Sequence, residues 1–465
     1  MAFQKDFAWG AASAAYQIEG GAFEDGKGAS IWDTYSHDVK ELTREDRRKG
    51  IKNAINNKDN GDTACNHYHT YKEDVRLMKK MGLKAYRFSI SWARVLPDGT
   101  GKINEKGLRF YSDLVDELLE NGIEPYITLF HWDLPQALYD RGGWLNRESP
   151  DWFAEYAKVV VDRLSDRVSY WMTLNEPQCH IVIGHIWGTA APGYKATNTE
   201  GFYMMHHILM AHGKAVQTIR KYSRLPARIG YAPCGAAAYP ASDSKEDIEA
   251  ARQYVFSCRQ PSHFDAGWWF DTVLSGKYPE DGIAAFAGDF PKEMIREGDM
   301  ETMCQPLDFL GINVYQGPEI RYDEKEGFAV VPNKVGYDKT AFKWAVTPKV
   351  LYYVPKFLYE RYKLPVIITE NGLSNADWVS LDQEVHDPQR IDFMHRYLKE
   401  LKRAAEDGID IQGYFAWSVM DNMEWNNGYD ERFGLIHVDF GTLRRTLKDS
   451  AYWYAKVIEM NGENL

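Results

Sequence analysis

The chain has 465 residues, and its 55 lysines and arginines against 67 acidic residues give a formal net charge of −12 at pH 7. This acidic balance argues against a nucleic-acid footprint and against binding to an anionic membrane surface. The length is that of two or three average domains, but large α/β barrels often fold as one domain, so residues 1–465 are predicted to form a single domain.

Short runs of β-branched and aromatic residues alternate with amphipathic stretches along the chain. The predicted strands are residues 7–12, 85–89, 125–130, 170–174, 228–232, 309–312, 366–369 and 413–417. The predicted helices include residues 63–81, 105–121, 151–164 and 389–407. In the second of these helices apolar side chains recur at three- and four-residue steps, and Asn121-Gly122 supplies a stop signal.

Eight repeats of strand then helix predict an α/β fold, a (β/α)8 TIM barrel with elaborated loops after the strands. A doubly wound open sheet is the alternative. Polar or aromatic residues directly follow many of the predicted strands: Arg87, His131-Trp132, Asn175-Glu176, Asn313, Glu370-Asn371 and Trp417. A barrel gathers such strand ends on one face, whereas an open sheet spreads them along an edge, so this pattern favours the barrel.

The segment from His37 to Gly61 differs from the rest because it is rich in charge and poor in apolar residues. Acidic residues are interleaved with the basic ones and aromatic residues are absent, which argues against a nucleic-acid patch. We expect a solvated surface loop here.

A first candidate carboxyl group lies in Asn175-Glu176-Pro177, directly after the strand at residues 170–174. Pro177 disfavours helical geometry at Glu176, and the Asn175 amide can donate to a ligand oxygen. The plainer alternative is a glutamate that caps a turn between strand and loop.

A second candidate lies in Glu370-Asn371-Gly372, at the end of the apolar strand at residues 366–369. A glutamate at the end of a buried strand needs a partner, because burial of an isolated charge is unfavourable. Gly372 is expected to make the turn. Two carboxyl groups on different barrel strands match what retaining glycoside hydrolysis requires, a proton donor and a nucleophile about 5–5.5 Å apart.

Six short segments, which include the two glutamate motifs, carry recognisable motifs and are spread over nearly the whole chain. They are residues 7–20, 87–92, 130–135, 175–177, 369–372 and 417–425. Taken together and in this order, they resemble the family-1 glycoside hydrolases, the β-glucosidase family. The resemblance covers both candidate glutamates and implies a catalytic (β/α)8 barrel.

The resemblance implies a role for each residue of the site. Glu176 would be the acid/base, and Glu370 the nucleophile, kept ionised by Arg87 and hydrogen-bonded by Tyr315. Arg87 as an ordinary structural ion pair stays an alternative, since both roles can coincide. Asn175 would hold the sugar 2-hydroxyl. The other implied residues are Asn313 as catalytic support, Gln17, His131, Glu424 and Trp425 for the remaining hydroxyls, Trp417 as a stacking floor and Trp344 as a platform for the leaving group.

The implied activity is that of a retaining exo-β-glycosidase acting on β-D-glucosides, either cello-oligosaccharides or aryl and alkyl glucosides, without cofactor or metal. A 6-phospho-β-glucosidase is one alternative, and the carboxylate of Glu424 argues against it because it would repel a phosphate. A non-catalytic sugar-binding relative is another, and the presence of both Glu176 and Glu370 argues against that. A transglycosidase also remains open, because water and a sugar hydroxyl compete for the same intermediate.

Two weaker motifs point to other chemistry. Gly21, Gly26 and Lys27 partly match a phosphate-binding loop, but Gly28 stands where Ser or Thr is needed. Five histidines could suggest a metal, yet they lack a His-Glu-x-x-His motif or an acidic third ligand: His67, His69, His206, His207 and His212.

The remaining expectations concern the cellular location of the protein and its binding partners. The five scattered cysteines form no Cys-x-x-Cys pair and predict free thiols in a reducing compartment, with Cys179 a wall residue of the site. Neither a signal peptide nor an apolar run of about 18 residues is visible, so a cytoplasmic location is expected. The expected partner is a small carbohydrate, with a homo-oligomer allowed and neither nucleic acid nor membrane expected.

Overall fold

A computed structural model describes residues 3–37 and 55–465. Eight parallel strands close into a barrel in the spatial order β1-β11-β10-β7-β5-β4-β3-β2. Their bounds are β1 Ala8–Ala12, β2 Ala85–Ser89, β3 Glu124–Phe130, β4 Tyr170–Asn175, β5 Arg228–Ala232, β7 Phe309–Asn313, β10 Val366–Asn371 and β11 Ile411–Trp417. The predicted barrel is therefore confirmed and the open sheet is excluded.

The loops after some of the barrel strands contain two smaller sheets. A three-stranded sheet contains β6 Tyr239–Pro240, β8 Glu319–Asp323 and β9 Gly327–Val331. A two-stranded sheet follows the last barrel strand and contains β12 Ile436–Val438 and β13 Arg445–Leu447. These additions agree with the predicted elaboration of the βα loops.

Helices surround the barrel. Those of ten or more residues are His67–Lys80, Glu105–Glu120, Ser149–Leu164, Asn198–Tyr222, Lys245–Phe256, Ala266–Ser275, Val350–Tyr362, Pro388–Glu406 and Asp449–Glu459. The shorter α-helices are Ala15–Ile18, Ile31–His37, Trp92–Val95, Gln136–Tyr139, Glu280–Ala285 and Asp299–Met303. A π-helix covers Cys179–Ile186, and 3₁₀ turns cover Asn56–Lys58, Gly143–Leu145, Lys292–Met294 and Trp425–Asn427.

The main difference from the predicted helices is the start of His67–Lys80, which was expected at Thr63. Ala64 and Asn66 have φ values of 45° and 56°, a left-handed conformation that an α-helix does not contain. The predicted stop at Asn121-Gly122 is confirmed: the helix ends at Glu120, and Gly122 has a φ of 73°.

Two irregularities in strand pairing lie beside the candidate glutamates. The register of β10 against β7 shifts between Ile368 and Glu370, and that of β4 against β5 shifts between Met172 and Asn175. Such bulges re-aim side chains and are frequent next to active sites. Here they occur at the carboxyl ends of both strands that carry a candidate carboxyl group.

A buried ion-pair network joins the C-terminal part of the chain to the loop after β11. The Lys448 ammonium lies 2.6 Å from an Asp377 carboxylate oxygen and 2.7 Å from one of Asp421, and it is fully buried. Arg432 pairs with Asp421 at 2.6 Å, and Arg390 with Asp377 at 2.7 Å. The network anchors Asp421, three residues before Glu424.

Most of the charged segment between His37 and Gly61 lies outside the described residues, so its role as a solvated surface loop stays a prediction. Within the described residues, no helix combines the length and the apolar character needed to cross a membrane.

Candidate active site

The carboxyl ends of the barrel strands surround a cavity of about 560 Å³. Ten of the twelve residues predicted for the site line it: His131, Asn175, Glu176, Asn313, Tyr315, Trp344, Glu370, Trp417, Glu424 and Trp425. The other two, Arg87 and Gln17, are buried directly behind lining residues and contact Glu370 and Glu424 respectively. The structure thus brings the whole predicted set together.

Glu370 is held by two donors at the end of β10. Nη1 of Arg87 lies 2.7 Å from its Oε1, and the Tyr315 hydroxyl donates to its Oε2 at 2.7 Å. Burial raises the pKa of Glu370, while the positive charge of Arg87 and the Tyr315 hydrogen bond act in the opposite direction. These two donors favour the ionised form of this carboxyl.

Arg87 is itself fixed by the barrel wall. It is only 1% exposed, and it also donates to Thr128 Oγ1 at 3.2 Å, to the Thr369 carbonyl at 3.1 Å and to Asn175 Oδ1. Arg87 therefore both joins neighbouring strands of the barrel through hydrogen bonds and places a positive charge beside Glu370.

Glu176 follows β4 with a φ of 38°, so its backbone lies in the left-handed region. Pro177 predicts only that helical geometry is disfavoured at Glu176, and the structure agrees with this. Its amide donates to the Ala232 carbonyl at the end of β5 at 2.8 Å, and its Oε1 accepts from Asn313 Nδ2 at 2.8 Å. Burial, followed by the negative charge of Glu370, raises the pKa of Glu176 to about 7. Glu176 is thus the protonated carboxyl of the pair at weakly acidic pH.

The orientation of the Asn175 amide fixes the tautomer of His131. Arg87 can only donate, so the oxygen of Asn175 faces it, and the Asn175 nitrogen donates to His131 Nε2 at 2.9 Å. Burial and the charge of Arg87 hold the pKa of His131 well below its usual value, so the ring is neutral and carries its proton on Nδ1. That buried N–H has no partner among the described residues, which leaves a donor for a ligand.

Gln17 presents the complementary group. Its Nε2 donates to Asn422 Oδ1 at 3.0 Å and to the Met423 carbonyl at 2.8 Å, while its buried Oε1 has no partner among the described residues. Burial, together with the charges of nearby acids led by Glu370, raises the pKa of Glu424 to about 8. Glu424 is therefore protonated at neutral pH and does not repel a phosphate by its charge, contrary to the expectation from the sequence.

Aromatic rings form the apolar surfaces of the cavity. The Trp417 and Trp425 rings both lie nearly parallel to the His131 ring, with centroids 5.8 Å and 5.9 Å away. Trp344 packs against Tyr315 with a centroid distance of 4.9 Å and also contacts Phe433. Flat rings of this kind can stack on the apolar faces of a sugar or an aromatic group.

Gly372 is needed for a reason other than the turn predicted from the sequence. A Cβ atom at this position would lie 1.9 Å from the Trp417 carbonyl oxygen. The glycine therefore permits β10 and β11 to approach closely beside Glu370, and its φ does not lie in the left-handed region.

Several lining residues were not predicted. Cys234 lies two residues past β5, and the rule that strand ends face the site could have identified it. Phe342 and Phe433 line the cavity from loops, and no sequence pattern marks them. Trp132, which donates its indole N–H to the Asn175 carbonyl at 3.0 Å, lay in a recognised motif without an assigned role.

Comparison with known proteins decides the family. The model of "Glycosyl hydrolase family 1" matches residues 1–463. The chain belongs to this family. It is 43% identical to beta-glucosidase A of Acetivibrio thermocellus, over 99% of each chain. It is 39% identical to an aryl-phospho-beta-D-glucosidase of Bacillus subtilis, over 100% of this chain and 98% of that protein. The structure superimposes on the beta-glucosidase from Thermotoga maritima in complex with glucoimidazole with a TM-score of 0.86, at 41% identity over 99% of each chain.

Membership of family 1 confirms the resemblance found in the sequence motifs and makes the protein a glycoside hydrolase. The relatives include both a glucosidase and a phosphoglucosidase, so membership of the family does not by itself determine the substrate.

Proposed function

We propose that the protein is a retaining exo-β-glucosidase that acts on cello-oligosaccharides and on aryl or alkyl β-glucosides. The observation that carries this proposal is the pair of buried carboxyls with different partners. Glu370 faces Arg87 and Tyr315 at 2.7 Å each, whereas Glu176 has a neutral amide donor and a pKa raised to about 7. One carboxyl is suited to attack and the other to proton transfer.

In the first step, the Glu176 carboxyl gives its proton to the glycosidic oxygen as the bond to the anomeric carbon breaks. An oxygen of Glu370 attacks that carbon from the opposite face and forms a glycosyl ester. In the second step, Glu176, now a carboxylate, takes a proton from water, and the water oxygen attacks the anomeric carbon and displaces Glu370. Both glutamates return to their starting protonation states.

The unpaired polar atoms of the cavity suit sugar hydroxyls. We propose that His131 Nδ1 donates to one hydroxyl and that Gln17 Oε1 accepts from another, since each is buried without a partner among the described residues. Asn175 takes the 2-hydroxyl, and Glu424 binds further hydroxyls as donor or acceptor. The stacking and leaving-group surfaces are assigned to Trp417, Trp425 and Trp344, with Asn313 supporting Glu176.

We predict that the sugar is released first as the β anomer, because two displacements at the same carbon restore the original configuration. Proton NMR at early reaction times, before mutarotation, measures this directly. A dominant α anomer would contradict the role of Glu370 as nucleophile.

The choice between glucosides and 6-phosphoglucosides depends on charge. Three glutamates line the cavity, and no lysine or arginine does among the described residues. The cations suspected from the sequence lie elsewhere: Lys343 does not line it, and Arg432 is paired with Asp421 at 2.6 Å. A bound phosphate dianion would thus lack a cation and would face the charge of Glu370.

We therefore predict that kcat/KM for an aryl β-glucoside exceeds that for its 6-phosphate by more than about tenfold, the loss expected when a charged group is left unpaired. The 6-deoxyglucoside is the matched control, because it lacks the 6-hydroxyl without adding charge. A glucoside-to-phosphoglucoside ratio below one would contradict the proposed substrate.

Three further properties are also proposals. Residues 1–465 act as a single catalytic domain. A cytoplasmic location is supported by five free thiols at Cys65, Cys179, Cys234, Cys258 and Cys304. Self-association as a homo-oligomer is compatible with this function and stays a prediction.

A further inference from the structure

Two thiols lie beside Glu176 and take no part in the proposed reaction. Cys179 begins the π-helix that follows Glu176, and Cys234 lies just past β5, the neighbour of β4 in the barrel. Their sulfur atoms are 3.5 Å apart without a disulfide bond. The two sulfurs and a carboxylate oxygen of Glu176 all lie within 4.8 Å of one another, and all three residues line the cavity.

The separation of the two sulfur atoms is close to one edge of a tetrahedral metal site. With metal–sulfur bonds of about 2.3 Å, two thiolates on one tetrahedral zinc lie roughly 3.8 Å apart, and a thiolate and a carboxylate oxygen lie roughly 3.5 Å apart. The observed sulfur separation of 3.5 Å differs from that edge by a few tenths of an ångström. The carboxylate oxygen of Glu176, within 4.8 Å of both sulfurs, reaches the two remaining edges by rotation of its side chain.

The electrostatics of the cavity also favour a divalent cation. The carboxylate of Glu370 lies in the same cavity as Glu176, and no lysine or arginine lines that cavity among the described residues. Both thiols are protonated, because the hydrogen bond with Cys234, followed by burial, holds the pKa of Cys179 well above its usual value, and burial raises the pKa of Cys234 to about 11. Binding of the ion would release the two thiol protons and the Glu176 proton to solvent, so that two thiolates and one carboxylate surround a 2+ charge.

We propose that Glu176, Cys179 and Cys234 form a binding site for a soft divalent cation of the Zn²⁺ or Cd²⁺ type. The fourth coordination position faces the cavity and takes water. Because the ion occupies the carboxylate of Glu176, that group can neither donate nor accept a proton, and the bound ion inhibits the enzyme. Thiolate ligands select these soft ions over Mg²⁺ and Ca²⁺.

The test is a titration of the full-length enzyme with Cd²⁺, followed by the ultraviolet absorbance of cadmium–thiolate bonds and by hydrolysis of an aryl β-glucoside. We expect one ion per chain, with the absorbance and the inhibition saturating together. Cys179→Ser and Cys234→Ser should each raise the dissociation constant at least about 100-fold, since each removes one of three protein ligands. Cys304→Ser, which changes a half-buried thiol away from the cavity, is the matched control and should leave the titration unchanged.

Inhibition is compared with each variant's own rate without metal, because Cys179 and Cys234 line the cavity. EDTA should restore activity, and a phosphine reductant should not. Restoration by the reductant alone would overturn the metal site in favour of a disulfide. An absorbance change that survives in both serine variants would also overturn it.

The inhibitory part of this inference rests on the proposed role of Glu176, but the spectroscopic part does not. In Glu176→Gln the cadmium–thiolate absorbance should persist with weakened affinity. Stoichiometric binding without inhibition of the wild-type enzyme would overturn the link to proton transfer while leaving the thiol site intact.

Discussion

Glu370→Ala is expected to lower kcat for aryl β-glucosides by about five orders of magnitude or more, the scale seen when a catalytic nucleophile is removed. The substitution removes the atom that is proposed to form the glycosyl ester, and it leaves the Arg87 guanidinium without its carboxylate at 2.7 Å. Neither Tyr315 nor a water molecule at this position supplies an equivalent nucleophile.

The space left by the Glu370 side chain should admit a small anion. We expect azide to restore part of the activity of Glu370→Ala and to yield the α-glycosyl azide, because a single displacement inverts the anomeric carbon. In Glu176→Ala, azide should enter after the ester has formed and yield the β-glycosyl azide. The two products, distinguished by NMR, assign the two carboxyls to opposite faces of the sugar.

Glu124→Ala is the control for this pair. Glu124 is a partly buried glutamate that begins β3, so it lies at the opposite end of the barrel from the site, and burial raises its pKa as well. Its replacement should leave kcat within a few fold of wild type. Retention of most activity by Glu370→Ala would overturn the assignment of the nucleophile.

Glu176→Gln is expected to reduce hydrolysis according to the leaving group. For alkyl glucosides, whose leaving group must be protonated, kcat/KM should fall by about 10²–10⁴-fold, the usual contribution of a general acid. For a dinitrophenyl glucoside, ester formation should proceed at nearly the wild-type rate. The second step should then be slow, because glutamine cannot take the proton from water.

The pH dependence of kcat/KM provides an independent measurement. The pKa of Glu176 is raised to about 7, so the carboxyl is protonated below this pH and loses its proton as the pH rises through it. Wild-type activity should therefore decline on the alkaline side near pH 7, and Glu176→Gln should lack that decline. An unchanged alkaline limb in the variant would assign the titration to another group, with Glu424 at a pKa of about 8 the nearest candidate.

The barrel and the two glutamates could be predicted because local sequence determines them. A carboxyl at the end of an apolar strand needs a hydrogen-bonding or charged partner. The closed barrel supplies one, because it places Nη1 of Arg87, on β2, 2.7 Å from Oε1 of Glu370, on β10. The protonation state of Glu424 could not be predicted in this way. The pKa of about 8 at Glu424 arises from burial and from the charges of Glu370, Glu431 and Glu176. Glu370 and Glu176 are distant from Glu424 in sequence, and Glu431 comes near it only through the fold of the loop after β11.

Lining residues in long loops, and close contacts between distant parts of the chain, could not be predicted from the sequence either. Phe433 and Phe342 reach the cavity through segments without regular periodicity, so no repeat marks them as lining residues. The need for Gly372 comes from the Trp417 carbonyl, 45 positions further along the chain. Likewise, the proximity of Cys179 and Cys234 follows from the pairing of β4 with β5, which the sequence indicates only through the order of strands.

The buried network around Lys448 also fastens the loop after β11 that carries Glu424. Asp421 accepts from Lys448, from Arg432 and from the Gly434 amide at 3.0 Å, and Glu424 lies three residues further on. To open this loop, the chain must separate buried charges, and breaking one such pair costs about 3–5 kcal/mol. We therefore expect the loop to belong to the same cooperative unit as the barrel, and its backbone amides to exchange with solvent hydrogen at rates close to those of the surrounding strands.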